Sequence, residues 1–415
     1  MSTVLLMLLA AVGGVLLGTV TGLIPGLHVN TIGFLLLAAT STLTQPPVVI
    51  AAAILAAGIT HTYLSIVPGL VLGVPEAATV VGALPGHRMV LQGAGAEAIR
   101  LSAIGSGVAL VVAVALALPL AHLIGAHHTL FRQAVPVLIA LIAVILIISE
   151  PTTRGRIGGL CCMLLAVGFG QLTLDLPTSG GLLPAGMVSI LGPIFSGLFG
   201  APILLDALAG GGQIPPQREG SLQIRPVAAV RAATSGALGG AMVGFLPGVS
   251  AGVASIIALG GVGGSTTTGA ETDRRYIIAT SGADTSTAVF ALASLVVIGS
   301  PRSGITIALE QLGGGSAPAS VLTLLVLCVF AAGCALLVLL WVGDWYLEQV
   351  RRLPRRPIIA GVLLFLMALA GVFAGAVGLG VFAAAAVLGL LPPRVHTRRV
   401  HLMGVLFGPV VMMGL

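Results

Sequence analysis

The chain contains no lysine. All 18 of its Lys/Arg positions are arginine, set against 12 acids in 415 residues. Charged residues make up only 7% and aromatics 4%, where a soluble chain carries roughly 25% charge. With 57% hydrophobic residues and a mean hydropathy of +1.15, a soluble fold is excluded. The net charge of +6 does not signal nucleic acid. The arginines sit in short clusters between apolar runs, as cytoplasmic loop charges do.

Other absences narrow the function. Cys161, Cys162, Cys328 and Cys334 form no C-x-x-C pair and lie in apolar runs, so they read as packing residues. No sustained alternation supports a transmembrane barrel. There is no H-E-x-x-H or Walker A loop, and the G-x-S-x-G spacing at Gly248 to Gly252 lacks the preceding strand that the nucleophile elbow requires, so the chain is not expected to be an enzyme or an ATPase. His28 and His61 are not spaced as metal ligands, and His127 and His128 are adjacent. No cofactor is expected, and no metal beyond a sodium site at Asp284. Transport, if any, must be ion-coupled, facilitated or driven by a separate subunit.

What is present is an all-α integral membrane protein in outline, multi-pass in the cell membrane. Taking about 20 apolar residues per span, the chain holds about 10–12 transmembrane segments. They start near Val4, Gly33, Ile99, Ala134, Arg156, Gly181, Val227, Tyr276, Ala317, Pro357 and Val400. The apolar N-terminus has no basic n-region and reads as an uncleaved first span. Polar punctuation divides the chain into a first membrane repeat (1–211), a central polar loop (212–226), a second-repeat core (227–316) and C-terminal helices (317–415). The basic loops at 348–356 and 392–401 bracket an apolar stretch expected to form a two-helix hairpin, with both loops cytoplasmic.

The chain repeats itself. Gly14 to Gly26 and Gly236 to Gly248 both read G-x-x-x-G-x-x-x-G-x-x-P-G, at an offset of 222. "VLGVPEAATVVG" (71–82) resembles "VIGSPRSGITIA" (297–308), at an offset of 226. Small-xxx-small spacing suits close helix packing, but it does not explain the Pro-Gly that ends each run. Gly/Pro interruptions at corresponding places in two halves mark transporter binding sites. A broken helix frees N–H and C=O groups that must face protein or water. The positive end of a half-helix attracts an anion, and freed carbonyls attract a cation. Two repeats with broken or re-entrant helices are therefore expected.

The candidate substrate-binding residues are Pro25, Gly26, His28, Asn30 and Thr31 in the first copy, and Pro247, Gly248 and Ser250 in the second, with Arg302. Asn30 and Thr31 could equally serve as helix caps. Ser255 holds a place comparable to the polar residues of the first tip. Ionisable residues inside membrane segments are functional candidates, and Thr60, Asp284, Thr285, Ser286 and Thr287 are the candidate ion-coupling set. Sodium prefers such oxygen ligands, and Asp284 could instead carry a proton or cap a helix start. His61 reads as a packing residue or a ligand, and Glu76 as a first-turn acid or a site residue. Arg88 is expected at the interface.

"GTVTGLIPGLHVNT" followed by "VPGLVLGVPEAATVVGALPGHRMVLQGAGAEAIRLSAIGSG" resembles the large membrane subunit of tripartite tricarboxylate transporters. Pro68, Gly69, Gly86, Met89, Gly93 and Ala103 to Ser106 carry the likeness. "TSGADTSTAVFALASLVVIGSPRSG" and "RRVHLMGVLFGPVVM" resemble the archaeal branch. The resemblance implies a secondary transporter for small organic anions such as di- and tricarboxylates, driven by sodium or protons, with two inverted repeats and elevator-type motion. It places substrate contact on Pro25 to Asn30 and on Pro247 to Ser250. It implies a small membrane subunit and an extracytoplasmic binding protein as partners; a homo-oligomer is also expected. His28 and Asn30 replace the family's usual small residues. Two other readings compete: a polyprenyl-phosphate translocase, suggested by "PGVSAG" (247–252), and a non-transporting membrane protein.

Overall fold

The computed structural model describes residues 2–24, 27, 29, 32–33, 36–37, 45–73, 80–177, 180–181, 190–209, 214–218, 222–246, 248–258 and 269–413. Among these, all regular structure is helical. In chain order the helices are α1 (Thr3–Gly22), α2 (Pro47–Leu64), α3 (Ile66–Leu72), α4 (Val80–Leu91), α5 (Gly95–Ala126), α6 (His128–Ile148) and α7 (Thr153–Thr173). There follow α8 (Leu191–Phe195), a π-helical turn (Ser196–Gly200), α9 (Ala201–Ala209), α10 (Pro226–Gly244), α11 (Ala251–Ala258) and α12 (Ala270–Ala293). A second π-helical turn (Ser294–Ile298) leads to α13 (Gly304–Leu312), α14 (Val321–Arg352), α15 (Arg355–Gly389), α16 (Leu391–Arg394), a 3-10 turn (Arg399–Met403) and α17 (Gly404–Met413).

Nine helical segments among the described residues are long and apolar enough to cross a membrane. Of these, Pro47–Leu72 is almost wholly enclosed by protein. A span that the sequence reading did not start separately begins at Pro47, and the one expected near Gly33 falls mostly outside the described residues. A proline tolerates the first helical turn because the N–H it lacks has no partner there, so Pro46-Pro47 punctuates the apolar run. α15 is interrupted at Ala374 and Gly375. A methyl group on Gly378 would strike the Ala370 carbonyl, and one on Gly371 would lie 3.7 Å from Leu379. The two arms thus fold back on each other, as the bracketing basic loops suggested.

Two helix pairs pack in the same way. α1 packs along α2, and α10 along α12. A methyl on Gly14 or Gly18 would meet the carbonyl of Ala53 or Ala57; one on Gly236 or Gly240 would meet that of Ala279 or Ala283. The glycines differ by 222 positions and the carbonyls by 226, so the two pairs share one packing register. Without side chains on the glycine face the backbones approach closely, which is how helices associate where lipid removes the hydrophobic drive. Thr21, at the same seam, lies 3.2 Å from His61 Nδ1, and His61 is fully buried. His61 therefore sits in the seam between α1 and α2.

Buried ion pairs fasten the bundle ends. Arg274 donates to both Glu97 oxygens, at 2.7 and 3.0 Å, and Gln223 N–H donates to Glu97 Oε1 at 2.8 Å. Arg88 donates to Asp273 at 2.6 Å, so it is an ion-pair partner of α12. In the turn between α6 and α7, Glu150 Oε1 accepts from Arg398 Nε at 2.8 Å and from Thr397 Oγ1 at 3.1 Å, with His401 Nε2 at 2.9 Å. Burial opposes the charge on Glu150, but His401 and Arg398 outweigh it and hold the carboxyl at about 2.

Candidate functional site

The site begins where α12 stops being regular. Ser294–Ile298 winds as a π-helical turn, a form frequent at functional sites, and Gly299 closes it at φ 70°. The conformation is left-handed, which glycine adopts without strain. In the other half Gly73 closes α3 with the same φ of 70°. After Gly299 the chain turns through Pro301 and Arg302 into α13. Ser303 and Thr306 form a capping box: Thr306 N–H donates to Ser303 Oγ at 3.3 Å, and Ser303 N–H to Thr306 Oγ1 at 2.8 Å. Arg302 N–H also donates to Thr306 Oγ1, at 2.9 Å. The break is thus rigidly built, and it sets the Arg302 side chain.

This break meets the first half of the chain. A methyl on Gly33 would meet the Gly304 carbonyl at 2.7 Å, and one on Gly58 would meet the Ile305 side chain at 2.7 Å. Between the halves lies a cavity of about 330 Å³. Its lining comes from α2 (Gly58, Thr62), from the turn after α10 (Gly248, Ser250), from α12 (Asp284, Thr287), from the α13 entry (Arg302, Ser303) and from the C-terminal Met403 and Leu406. Gly58 and Asp284 are 226 residues apart, so equivalent positions of the two pairs face one space.

The sequence-derived candidates divide. Gly248, Ser250, Arg302, Asp284 and Thr287 all line the cavity. Ser250 Oγ is buried without a hydrogen-bond partner, a cost that persists only where something else satisfies it. Asp284 lies in the middle of α12, which rules out the helix-start cap. Thr60, Thr285 and Ser286 are buried but do not line the cavity. Ser286 Oγ donates to the Ala283 carbonyl at 3.1 Å, and the Thr60 hydroxyl has no partner among the described residues. The structure therefore does not gather the five ion-coupling candidates into one cluster. Ser255 is fully buried and donates to the Ala251 carbonyl, away from the cavity. Pro25, Gly26, His28, Asn30, Thr31, Pro247 and Glu76 lie outside the described residues. Sequence reasoning missed Ser303 and the Leu406 wall. The S-x-x-T capping pattern at 303–306 could have marked Ser303; nothing local marks Leu406.

The arginines separate cleanly. Among the described residues, seven arginine side chains are not fully exposed: 88, 100, 274, 302, 351, 398 and 399. Six bond a carboxylate, on Asp273, Asp344, Glu97, Glu348, Glu150 and Asp206 respectively. Arg302 bonds none among the described residues; its Nε donates only to Ser294 Oγ, at 3.4 Å. A guanidinium withdrawn from water is costly unless paired.

These features define a multi-pass α-helical membrane protein with a cavity shared by two similarly packed halves. Residues 8–404 match the tripartite tricarboxylate transporter TctA family, and the chain belongs to that family. The family comprises transporter permeases rather than enzymes. An uncharacterised protein of Methanocaldococcus jannaschii is 30% identical over 207 residues, which span 49% of this chain and 49% of that protein. The similarity thus covers about half the length of this relative. No solved structure matches.

Proposed function

We propose that the chain is the permease of a secondary transporter for small organic anions, with the substrate held in the cavity between the two helix breaks. The observation that carries this reading is Arg302, the not fully exposed arginine without a carboxylate among the described residues, facing that cavity. A substrate carboxylate would complete its pairing, and a guanidinium matches carboxylate geometry. Asp284, across the same space, is the candidate site for the coupling cation or proton, with Thr287 beside it. The shared packing register of α1/α2 and α10/α12 supports two repeats; their inverted relation and an elevator-type motion are part of the proposal. Family membership supports partnership with a small membrane subunit and an extracytoplasmic binding protein.

The test is a thermal-shift screen of the purified protein against organic anions and polyprenyl phosphate, each with and without sodium and at two pH values. Stabilisation by an organic anion, enhanced by sodium or by protons and lost in Arg302→Gln, is expected. Stabilisation by the lipid phosphate alone would replace this reading with a lipid-carrier translocase.

A further inference from the structure

The turn between α6 and α7 meets the C-terminal segment at one corner of the bundle, away from the cavity. Residues 149–159 and 391–401 together hold five arginines, Arg154, Arg156, Arg394, Arg398 and Arg399, against one acid, Glu150. A methyl on Gly155 would lie 3.1 Å from the His396 carbonyl, and one on Gly158 would lie 2.7 Å from the Val395 carbonyl. The two segments are therefore in direct contact. Arg398 is taken by Glu150 and Arg399 by Asp206. Arg154 and Arg394 are exposed and make no ion pair among the described residues. Arg156, also exposed, donates to the Glu150 backbone carbonyl at 3.0 Å. Three guanidiniums share this corner without a carboxylate among the described residues.

The corner is firmly built. His396 holds a left-handed backbone, φ 58°, and is the one non-glycine with positive φ among the described residues. Such a conformation persists only where its surroundings enforce it. Here Thr397 N–H donates to the Pro392 carbonyl at 2.9 Å, while Thr397 Oγ1 and Arg398 N–H each donate to Glu150 Oε1 at 3.1 Å. The buried carboxylate pins the turn and leaves Arg394 on the outside. Beyond Arg154, α7 continues with Ile157, Cys161 and Leu164. Their i+3, i+7 and i+10 spacing puts them on the same helix face as Arg154. Ile157, Leu164 and the neighbouring Leu160 are all exposed, as is Cys161. Because α7 is long and apolar enough to cross a membrane, this outward face meets acyl chains. Arg154 heads the stripe, where an arginine reaches the level of the lipid headgroups.

We propose that this corner binds an anionic phospholipid. The headgroup phosphate lies among Arg154, Arg156 and Arg394, and an acyl chain lies along Ile157, Leu160 and Leu164. Guanidinium groups match phosphate oxygens in bidentate geometry, and basic clusters at the cytoplasmic ends of spans attract the anionic lipids of that leaflet. A free phosphate would engage the arginines and leave the apolar stripe unused; a lipid engages both.

The experiment follows the thermal midpoint of the purified full chain in neutral detergent. Dioleoyl phosphatidylglycerol, dioleoyl phosphatidylcholine, glycerophosphoglycerol and inorganic phosphate are added separately at equal concentration. Wild type is compared with the double variant Arg154→Gln/Arg394→Gln and with the control Arg132→Gln. Arg132 is exposed near the start of α6, at the opposite end of that helix from the Glu150 turn. Phosphatidylglycerol is expected to raise the wild-type midpoint by several degrees, more than phosphatidylcholine does, and less at high salt. The double variant should lose at least half of that gain and Arg132→Gln should keep it, while all three melt alike in detergent alone. Native mass spectrometry, counting the phosphatidylglycerol molecules retained per chain, should show one fewer in the double variant. Equal gains from the two lipids, or a double variant unchanged in both measurements, overturns the site. An equal loss in Arg132→Gln reduces the effect to net charge and overturns it too. A full gain from glycerophosphoglycerol or inorganic phosphate overturns the lipid as occupant.

Discussion

Gly73 and Gly299 hold the same left-handed backbone, φ 70° with ψ of 30° and 27°, at positions 226 residues apart. Each ends a helical segment that continues a central helix, α2 through α3 and α12 through its π-helical turn. Their surroundings differ. A methyl on Gly299 would meet nothing within 4 Å, while one on Gly73 would lie 3.0 Å from the His87 ring. Gly299→Ala should therefore cost only the left-handed penalty of about 1–2 kcal/mol, and Gly73→Ala more. Thermal midpoints of the two purified variants check this; equal losses would mean that the ring yields freely.

The glycine seams should respond to added bulk, and the lipid face should not. Gly240→Val would drive a branched side chain into Ala283 and Ser286, whereas Gly13 has open space around it. Overpacking costs roughly 1–3 kcal/mol. Gly240→Val should lower the melting temperature by several degrees and Gly13→Val should leave it nearly unchanged. The seam is not a close contact in the membrane if both variants melt alike.

Asp284 faces the cavity from mid-helix, so Asp284→Asn should alter how ligand stabilisation depends on sodium or pH, while Thr285→Val, away from the cavity, should not. Titrating sodium at fixed substrate, and pH at fixed sodium, separates the two ions. An Asn variant with both profiles intact would make Asp284 a structural residue.

Glu150 sets an acid limit. Its carboxyl is held at about 2 in the folded protein, against about 4.3 for an unconstrained glutamate. A lowered folded value means that the stabilisation is complete above pH 4.3 and is lost as pH falls through 2. It amounts to on the order of 3 kcal/mol. Glu150→Gln would leave Arg398 without its carboxylate, at a cost of about 3–5 kcal/mol, and should flatten stability between pH 4 and pH 2. Melting curves from pH 7 to pH 2.5 test both; a mutant as acid-sensitive as the wild type would exonerate this carboxylate.

Class and repetition were legible in the sequence, because both depend on local facts. Seven per cent charge over 415 residues leaves a bilayer as the solvent. Fixed Gly and Pro spacing survives as spacing whatever the fold does, so the seams at Gly18 and Gly240 could be read as helix-packing faces before their partners were known. The Pro-Gly pair at 25–26 and Pro247 lie outside the described residues, so their part in the site stays with the proposal.

The sequence by itself determined the membrane class, the helical content, the repeated glycine faces and the charge supply: arginine without lysine. Only the tertiary structure decided which of the seven withdrawn arginines lacks a carboxylate among the described residues, because pairing joins residues such as Arg274 and Glu97 that are 177 positions apart. It alone decided that Asp284 and Thr287 share a cavity with Arg302 while Thr285 and Ser286, their immediate neighbours, do not. On a helix each residue turns about 100° from the last, so adjacent hydroxyls face different surroundings, and which face meets the cavity is set by the packing of distant helices.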